Sequence, residues 1–274
     1  MGTLYLVATP IGNLEDMSPR AVRVLREASL IAAEDTRHTG TLLKHFNIET
    51  PLTSYFEHNK LTKQDFILEK LAQGDIALVS DAGTPAINDP GYELVQAALA
   101  SGFDVRPVPG PSAPIAALTV SGLPTDSFLY LGYLPHKSSE RHNRLNEVSE
   151  QTFTLIFFET PHRIIDSLED IQSALGNRRI CVAREMTKLY EEYWRGDVTG
   201  AIAHFGAKEA RGEFTLVIEG KKKEERSVWS EAELTEAVKR ELQAGKPAKE
   251  ISADLAEPSG WNKKEIYAFI NKIK

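Results

Sequence analysis

The chain has 274 residues, 42% hydrophobic and 26% charged. That composition excludes a disordered or fibrous protein, and the length allows a core that needs no metal or disulfide staple. One cysteine, Cys181, excludes an internal disulfide; with no apolar run of about 18 residues and no basic-then-apolar leader, it points to a reducing, cytoplasmic setting. The formal net charge is −7. From Lys221 onward 12 Lys and Arg meet 10 Asp and Glu, a net +2, while the preceding residues carry 20 and 29, a net −9. An acidic body excludes a nonspecific coat for nucleic acid but allows a local basic groove.

In chain order, the apolar run Leu4 to Ala8 ends in Thr9-Pro10-Ile11-Gly12-Asn13, and Ser18-Pro19 follows as a helix start. Strand, tight turn and helix is the layout of many nucleotide sites. A Walker loop, however, needs a glycine-rich turn followed by Lys and Ser/Thr, and the dinucleotide fingerprint G-x-G-x-x-G is absent as well. The turn stays open between a plain strand-to-helix connection and a cofactor wall of another kind, and its place after the first strand favours a ligand. Further β-rich runs fall at 30–34, 76–80, 105–109, 128–134, 153–159, 179–185 and 214–220. Several are continuously apolar, as strands covered on both faces are. Residues 160–175 read as a helix with Thr160 as N-cap, Pro161 at its first position, Ile164, Ile165, Leu168, Ile171 and Leu175 on one face, and Gly176 as its stop.

Strand–helix alternation makes the fold α/β. The Gly-Pro-Asp seam at 121–128 separates two α/β domains, 1–122 and 123–220. A charged, aperiodic stretch at 220–230 opens a third segment, 221–274. There Ser230 and Glu233 form a capping box for a helix over 231–243. Helices near 247–256 and 262–273 follow, sharing Ile251, Leu255, Ile266, Phe269 and Ile270.

The loops hold the chemistry. "SDAGTPAINDPG" (80–91) leaves an apolar strand with two prolines, two glycines, Asp81 and Asp89, richer than a simple connection needs. A carboxylate there suits a ribose hydroxyl or a cation. In "PVPGPSAPIAAL" (107–118), Ser112 is either a helix N-cap or a ligand contact, and small residues such as Ala113 allow close approach. Glu34, Asp35, Arg37 and His38 cluster at another strand end; Asp35 caps a helix or takes part in chemistry. "FFETPHR" (157–163) and "AREMTKLYEEYWRG" (183–196) each pair a carboxylate with cations: Glu159 with Arg163, and Glu185 with Arg184 and Lys188. Surface ion pairs are the plain alternative to a phosphodiester contact. No Cys/His cluster has metal spacing and no G-x-S-x-G elbow occurs, so the sequence offers no metal site and no covalent hydrolase.

Together "ATPIGNLEDMSPRA", "AAEDTRHTG", "LVSDAGTPAINDPG", "PVPGPSA", "GYLP" and "FFETPHR" resemble the ribosomal RNA small-subunit methyltransferase I family, of the tetrapyrrole-methylase-like class of S-adenosylmethionine enzymes. The resemblance spans about residues 3–220. It implies two α/β domains with S-adenosylmethionine folded into the cleft between them, a small C-terminal helical segment, a homodimer, and 2′-O-methylation of a cytidine in small-subunit ribosomal RNA near the decoding centre. By motif it places Pro10, Gly12, Asp81, Thr84, Ser112 and Ala113 at the cofactor, with Phe157, Phe158 and the segment Glu213 to Leu216, including Phe214 and Thr215, closing over it. Ala82-Gly83-Thr84-Pro85 departs from the shorter Gly-Asp-Pro loop of tetrapyrrole methylases, which leaves the contacts in that loop open. A ribose hydroxyl is a weak nucleophile and needs a base or an alkoxide stabiliser. The strand-end groups available are Asp35, Glu159 and Glu185 as base, and Arg37, Arg184 and Lys188 as phosphate or alkoxide partners. Arg20, Arg23, Arg141, Arg144 and Arg163 extend the basic set for RNA, with Lys263 and Lys264 in the C-terminal segment as an auxiliary RNA contact or part of a helical cap. The rivals are a same-fold methyltransferase acting on a tetrapyrrole-like acid and a noncatalytic RNA-binding assembly factor.

Overall fold

The computed structural model describes residues 2–57, 60–207, 209–222 and 228–273, with residues 60–62 described by their backbone only. Two compact units divide the chain, Met1–Lys221 and Lys222–Lys274.

The first unit opens with β1 (Thr3–Val7), α1 (Pro19–Glu27), β2 (Leu30–Ala33), α2 (Thr36–His45), β3 (Leu52–Ser54), α3 (Lys60–Leu71), β4 (Ile76–Val79), α4 (Tyr92–Ala100), β5 (Asp104–Val108) and α5 (Ala113–Val120). The start of α1 follows the expected chemistry: Pro19 is the first helical residue and the Ser18 hydroxyl accepts from the Ala21 N–H at 3.1 Å. The five strands form one parallel sheet in the order β3-β2-β4-β1-β5. Leu4, Val7, Ile31, Ala32, Ile76 and Leu78 are buried in it, the continuous apolar signature of a sheet covered on both faces. From β1 the chain runs outward to β2 and β3; from β4 it crosses over to β5. The neighbours β1 and β4 therefore send their connections in opposite directions, and an open α/β sheet leaves a crevice beyond the carboxyl ends of such a pair.

The same unit continues with β6 (Phe128–Tyr133), α6 (Ser138–Glu147), β7 (Thr154–Glu159), α7 (Ile164–Leu175), β8 (Arg179–Arg184), β9 (Glu192–Asp197), α8 (Val198–Gly206) and β10 (Phe214–Ile218). This second sheet is mixed, ordered β6-β7-β10-β8-β9; β6 and β7 are parallel and the other pairs antiparallel. Two strands, β3 and β9, were not among the expected runs. β3 has three half-buried residues, and β9 is a polar edge strand, Glu-Tyr-Trp-Arg-Gly-Asp. Helix α7 begins at Ile164 rather than at 160–161, because the Thr160 N–H donates to the Glu159 carboxylate at 2.7 Å and Thr160 caps no helix.

The second unit holds α9 (Glu231–Gln243), α10 (Ala248–Ser259) and α11 (Lys263–Ile273). Both bonds of the Ser230–Glu233 capping box are present, and Leu234, Val238, Ile251, Leu255, Ile266 and Ile270 form its core. Of the charged stretch at 220–230, residues 223–227 lie outside the described residues. Among the described residues no helix is long and apolar enough to cross a membrane.

Candidate active site

A cleft of ≈ 240 Å³ lies at the crevice between β4 and β1 and is closed by the second sheet. The turn Thr9–Asn13 is fixed there by three bonds. The Thr9 N–H donates to the Gly83 carbonyl at 2.8 Å, the Gly83 N–H returns a bond to the Thr9 carbonyl at 3.0 Å, and the Thr9 hydroxyl donates to the Ser80 carbonyl at 3.2 Å. The first strand's turn and the 80–91 loop thus form one surface. On its other side the turn meets the second sheet: a Cβ on Gly12 would lie 2.5 Å from Lys188 Cγ, 2.8 Å from Thr187 Oγ1 and 3.1 Å from the Met186 carbonyl. Only glycine permits that approach. A third loop joins when the Thr84 hydroxyl donates to the Pro111 carbonyl at 3.1 Å.

Five described residues other than glycine have φ between +49° and +68°: Asn47, Ala86, Asn88, Glu185 and Thr187. Four of them sit on the 80–91 and 184–188 loops beside the cleft. Left-handed backbone of this kind costs on the order of 1–3 kcal/mol per residue and persists where surrounding structure enforces it, often at ligand sites.

The floor is acidic. Glu34, Asp81 and Asp89 line the cleft. Asp81 accepts from the Asp35 N–H at 3.0 Å, and Glu34 accepts from the Asp81 N–H at 3.3 Å. Burial, with the Asp81 and Asp35 charges adding to it, raises Glu34 despite that bond. Burial pushes Asp89 up to about 6, helped by the charges of Glu34 and Asp81 and opposed by the Ser80 hydroxyl. The opposite wall is aromatic, built from Tyr130, Tyr133 and Phe158, with Phe214, Thr215, Met186 and Glu213 beside it. The Tyr130 hydroxyl is buried and meets no hydrogen-bonding partner among the described residues. Burial, ahead of the nearby Asp89 charge, raises that phenol.

Of the positions named from sequence for the cofactor, Asp81, Thr84, Ser112, Ala113, Phe158, Phe214 and Thr215 line the cleft. Ser112 precedes α5 but makes no side-chain cap bond, which leaves its hydroxyl to the cleft. Pro10 and Gly12 flank Ile11, the lining residue of their turn. Phe157 is fully buried in the core of the second sheet, since neighbours on a strand face opposite ways and Phe158 takes the cleft side. Asn88, one of the polar residues that mark the 80–91 loop in the sequence, also lines it, as do Ile11, Ile87, Tyr130, Tyr133 and Met186, which carried no individual sequence signal; for the two tyrosines the glycine of "GYLP" was the available clue.

The positions named for chemistry are spread around this cleft, with their charges already engaged. Asp35 is the N-cap of α2; its carboxylate takes the Arg37 N–H at 2.8 Å and the guanidinium at 2.6 Å. Those bonds hold Asp35 well below the usual carboxylate range. The Arg37 side chain is 90% exposed. Glu159 is buried and accepts from Thr160 N–H, from the Ser167 hydroxyl at 2.6 Å and from Arg163 at 2.6 Å. Glu185 pairs with Lys188 at 2.9 Å and accepts the Glu213 N–H at 3.1 Å; Lys188 also reaches Glu213 at 3.0 Å. Burial works to raise Glu185, but these bonds and the neighbouring cations bring it below its ordinary value. Arg184 donates to Glu192 at 2.9 Å and to the Arg211 carbonyl at 3.2 Å. Among the other cations expected to face RNA, Arg141 is buried against Asp170 at 2.6 Å and the half-buried Arg163 pairs with Glu159 at 2.6 Å; both staple the fold. Among the described residues no group of three or more His, Cys, Asp or Glu is placed to hold a metal ion.

Comparison with known proteins identifies the family. The family model for tetrapyrrole (corrin/porphyrin) methylases matches residues 3–201. The chain is similar to ribosomal RNA small subunit methyltransferase I of Halalkalibacterium halodurans, 48% identical over 97% of this chain and 93% of that protein. It is 47% identical to the Escherichia coli O157:H7 protein of that name, over 98% of this chain and 94% of the relative. The Thermotoga maritima protein so named is 46% identical over 222 residues, which are 81% of this chain and 100% of the relative. Among solved structures, diphthine synthase superposes with a TM-score of 0.64 at 14% identity, covering 81% of this chain and 91% of that one. The methyltransferase CobJ superposes at 0.59 and 19% identity, over 81% and 95%; both likenesses speak to the fold alone. The chain belongs to the tetrapyrrole methylase family and, within it, to the ribosomal RNA small subunit methyltransferase I group.

Proposed function

We propose that this chain methylates the ribose 2′-hydroxyl of a cytidine in small-subunit ribosomal RNA near the decoding centre, with S-adenosylmethionine as donor. The relatives' shared name supports the RNA. The observation that carries the reading is the chemistry of the cleft at the β1/β4 crevice. It has no phosphate cradle. It offers an acidic floor for a cationic sulfonium and amine, aromatic and small residues for a nucleoside, and in Tyr130 a buried hydroxyl without a partner among the described residues. A nucleoside sulfonium fits this set. Asp81, Thr84, Ser112, Ala113, Phe158, Phe214 and Thr215 would hold it. Pro10 and Gly12 would set the turn that bears Ile11, and Phe157 would support Phe158 from the core side.

When bound, the donor supplies an electrophilic methyl group on sulfur. The chain's own tasks are then alignment, which can lower a barrier by several kcal/mol, and handling the acceptor's proton. A general base works best with a pKa near the working pH. Asp35 is held too low by Arg37, Glu185 is spoken for by Lys188, and Glu159 has its oxygens occupied. Asp89 lines the cleft with a value pushed up to about 6, so we assign it the proton. Arg37, with its side chain 90% exposed, is the cation for the substrate phosphates; Lys188 is held by Glu185 and Glu213, and Arg184 braces β9 through Glu192. A cytoplasmic homodimer completes the reading.

The test supplies donor with a labelled methyl group and offers two acceptors: small ribosomal subunits lacking the mark, and a uroporphyrin-type macrocycle. Label on the subunit's RNA supports the proposal. Label on the macrocycle, or none on either while the donor binds, refutes it.

A further inference from the structure

Two tyrosines of β6 reach the cleft although they stand three residues apart. Side chains on a regular strand alternate, so positions 130 and 133 belong on opposite faces. The pairing with β7 explains the exception. It runs Tyr130↔Ile156 and then Tyr133↔Phe158, three steps on one strand against two on the other. That is a β-bulge, a device that re-aims side chains. Gly132 absorbs the extra residue at φ +67°, and a Cβ there would lie 2.6 Å from Asn88 Oδ1. The bulge therefore also seats β6 against the 80–91 loop.

Both tyrosines then flank Phe158. Its ring centroid is 5.4 Å from Tyr130, edge to face, and 5.4 Å from Tyr133, tilted. They differ in depth. The Tyr130 hydroxyl is buried, while Tyr133 is 51% exposed at the rim, as is Ile87 at 45% beside Asn88. A large aromatic ring half in water, braced by a second ring, stabilises the fold little in that position. It leaves a flat π-surface at the mouth of the cleft.

We infer that Tyr133, braced by Phe158, is the platform on which the nucleobase of the methylated nucleotide stacks; this rests on the RNA reading above. RNA-binding proteins that read single-stranded nucleotides splay the base out and stack it on an aromatic ring. Such a contact would fix the base at the rim and direct its ribose inward, where the hydroxyl must meet the donor. The other flat ring in the reaction is the donor's own adenine, and the rim position of Tyr133 favours the acceptor.

The experiment measures donor Kd by calorimetry, and KM and kcat with unmarked small subunits, for the wild type, Tyr133→Ala and Tyr133→Phe. Tyr133→Ala should raise KM for the subunit between about fivefold and about a hundredfold, the range for one stacked base, with donor Kd within about twofold and Tyr133→Phe near wild type. An unchanged KM in Tyr133→Ala overturns the inference. So does a donor Kd that weakens in step with KM, which assigns the ring to adenine. Failure of the RNA reading looks different: the wild type itself then binds donor yet transfers nothing to the subunit, and the platform falls with it.

Discussion

Glu159, the last residue of β7, and Asp89, in the loop between β4 and α4, are both carboxylates, and their surroundings set them apart. Glu159 is buried with its oxygens bound by Thr160, Ser167 and Arg163. Removing one partner of a buried ion pair leaves the other uncompensated, at a cost of about 3–5 kcal/mol. Glu159→Ala should thus lower Tm sharply while the folded fraction still binds donor; a normal Tm with abolished turnover would return Glu159 to the chemistry. Asp89 has too few partners for its burial. Its pKa is raised from 3.8 to about 6, so its contribution to stability is fully present below 3.8 and is lost as pH rises through about 6. Asp89→Asn should therefore raise Tm above pH 6 in the free protein, flatten the melting profile between pH 4 and 6, and remove the acidic limb from the pH–rate curve. A variant that melts like the wild type at every pH contradicts the assignment. Sequence could single out these loops because carboxylates, prolines and glycines crowd them. It could not say which carboxylate is satisfied, since the partners of Glu159 are fixed by the turn that delays α7.

At the scale of elements, the Thr9–Asn13 turn is held by backbone bonds on one side and wedged against residues 186–188 on the other. Gly12→Ala should cost about 1–3 kcal/mol through overpacking and weaken donor binding, because Ile11 must shift. Differential scanning and calorimetry read both effects, and a variant with unchanged Tm and donor affinity would show that the close approach does nothing. Strands with apolar runs were legible, since β1, β2, β4, β7, β8 and β10 are buried by both faces or by one face and an interior neighbour. The edge strand β9 was not: Glu192, Arg195 and Asp197 give it the composition of a charged loop, and its place comes from pairing with β8. The β6 bulge was hidden for the same reason. Register is a property of two strands, and only Gly132 marks it in one.

For the molecule as a whole, the crevice where β1 and β4 send their connections apart is what gathers loops distant in sequence into one cleft. Everything lining it falls within Met1–Lys221. A relative whose entire length matches 222 residues of this chain has room for that unit and little more. A chain ending at Lys221 should accordingly bind donor with unchanged affinity and lose affinity for the small subunit, through the loss of Lys263 and Lys264 at the start of α11; loss of donor binding would contradict this division of labour. The α/β class could be read from strand–helix alternation, and the loops that meet at the cleft from their crowded motifs. The aromatic wall could not, because it depends on how the second sheet folds over the first. The most direct measurement of the central claim is a map of ribose methylation on small-subunit RNA from cells with and without this protein. One cytidine near the decoding centre should lose its 2′-O-methyl group when the protein is absent and regain it when purified protein and S-adenosylmethionine are added to the isolated subunits. An unchanged map, or a methyl group lost from a base instead of a ribose, would contradict the account.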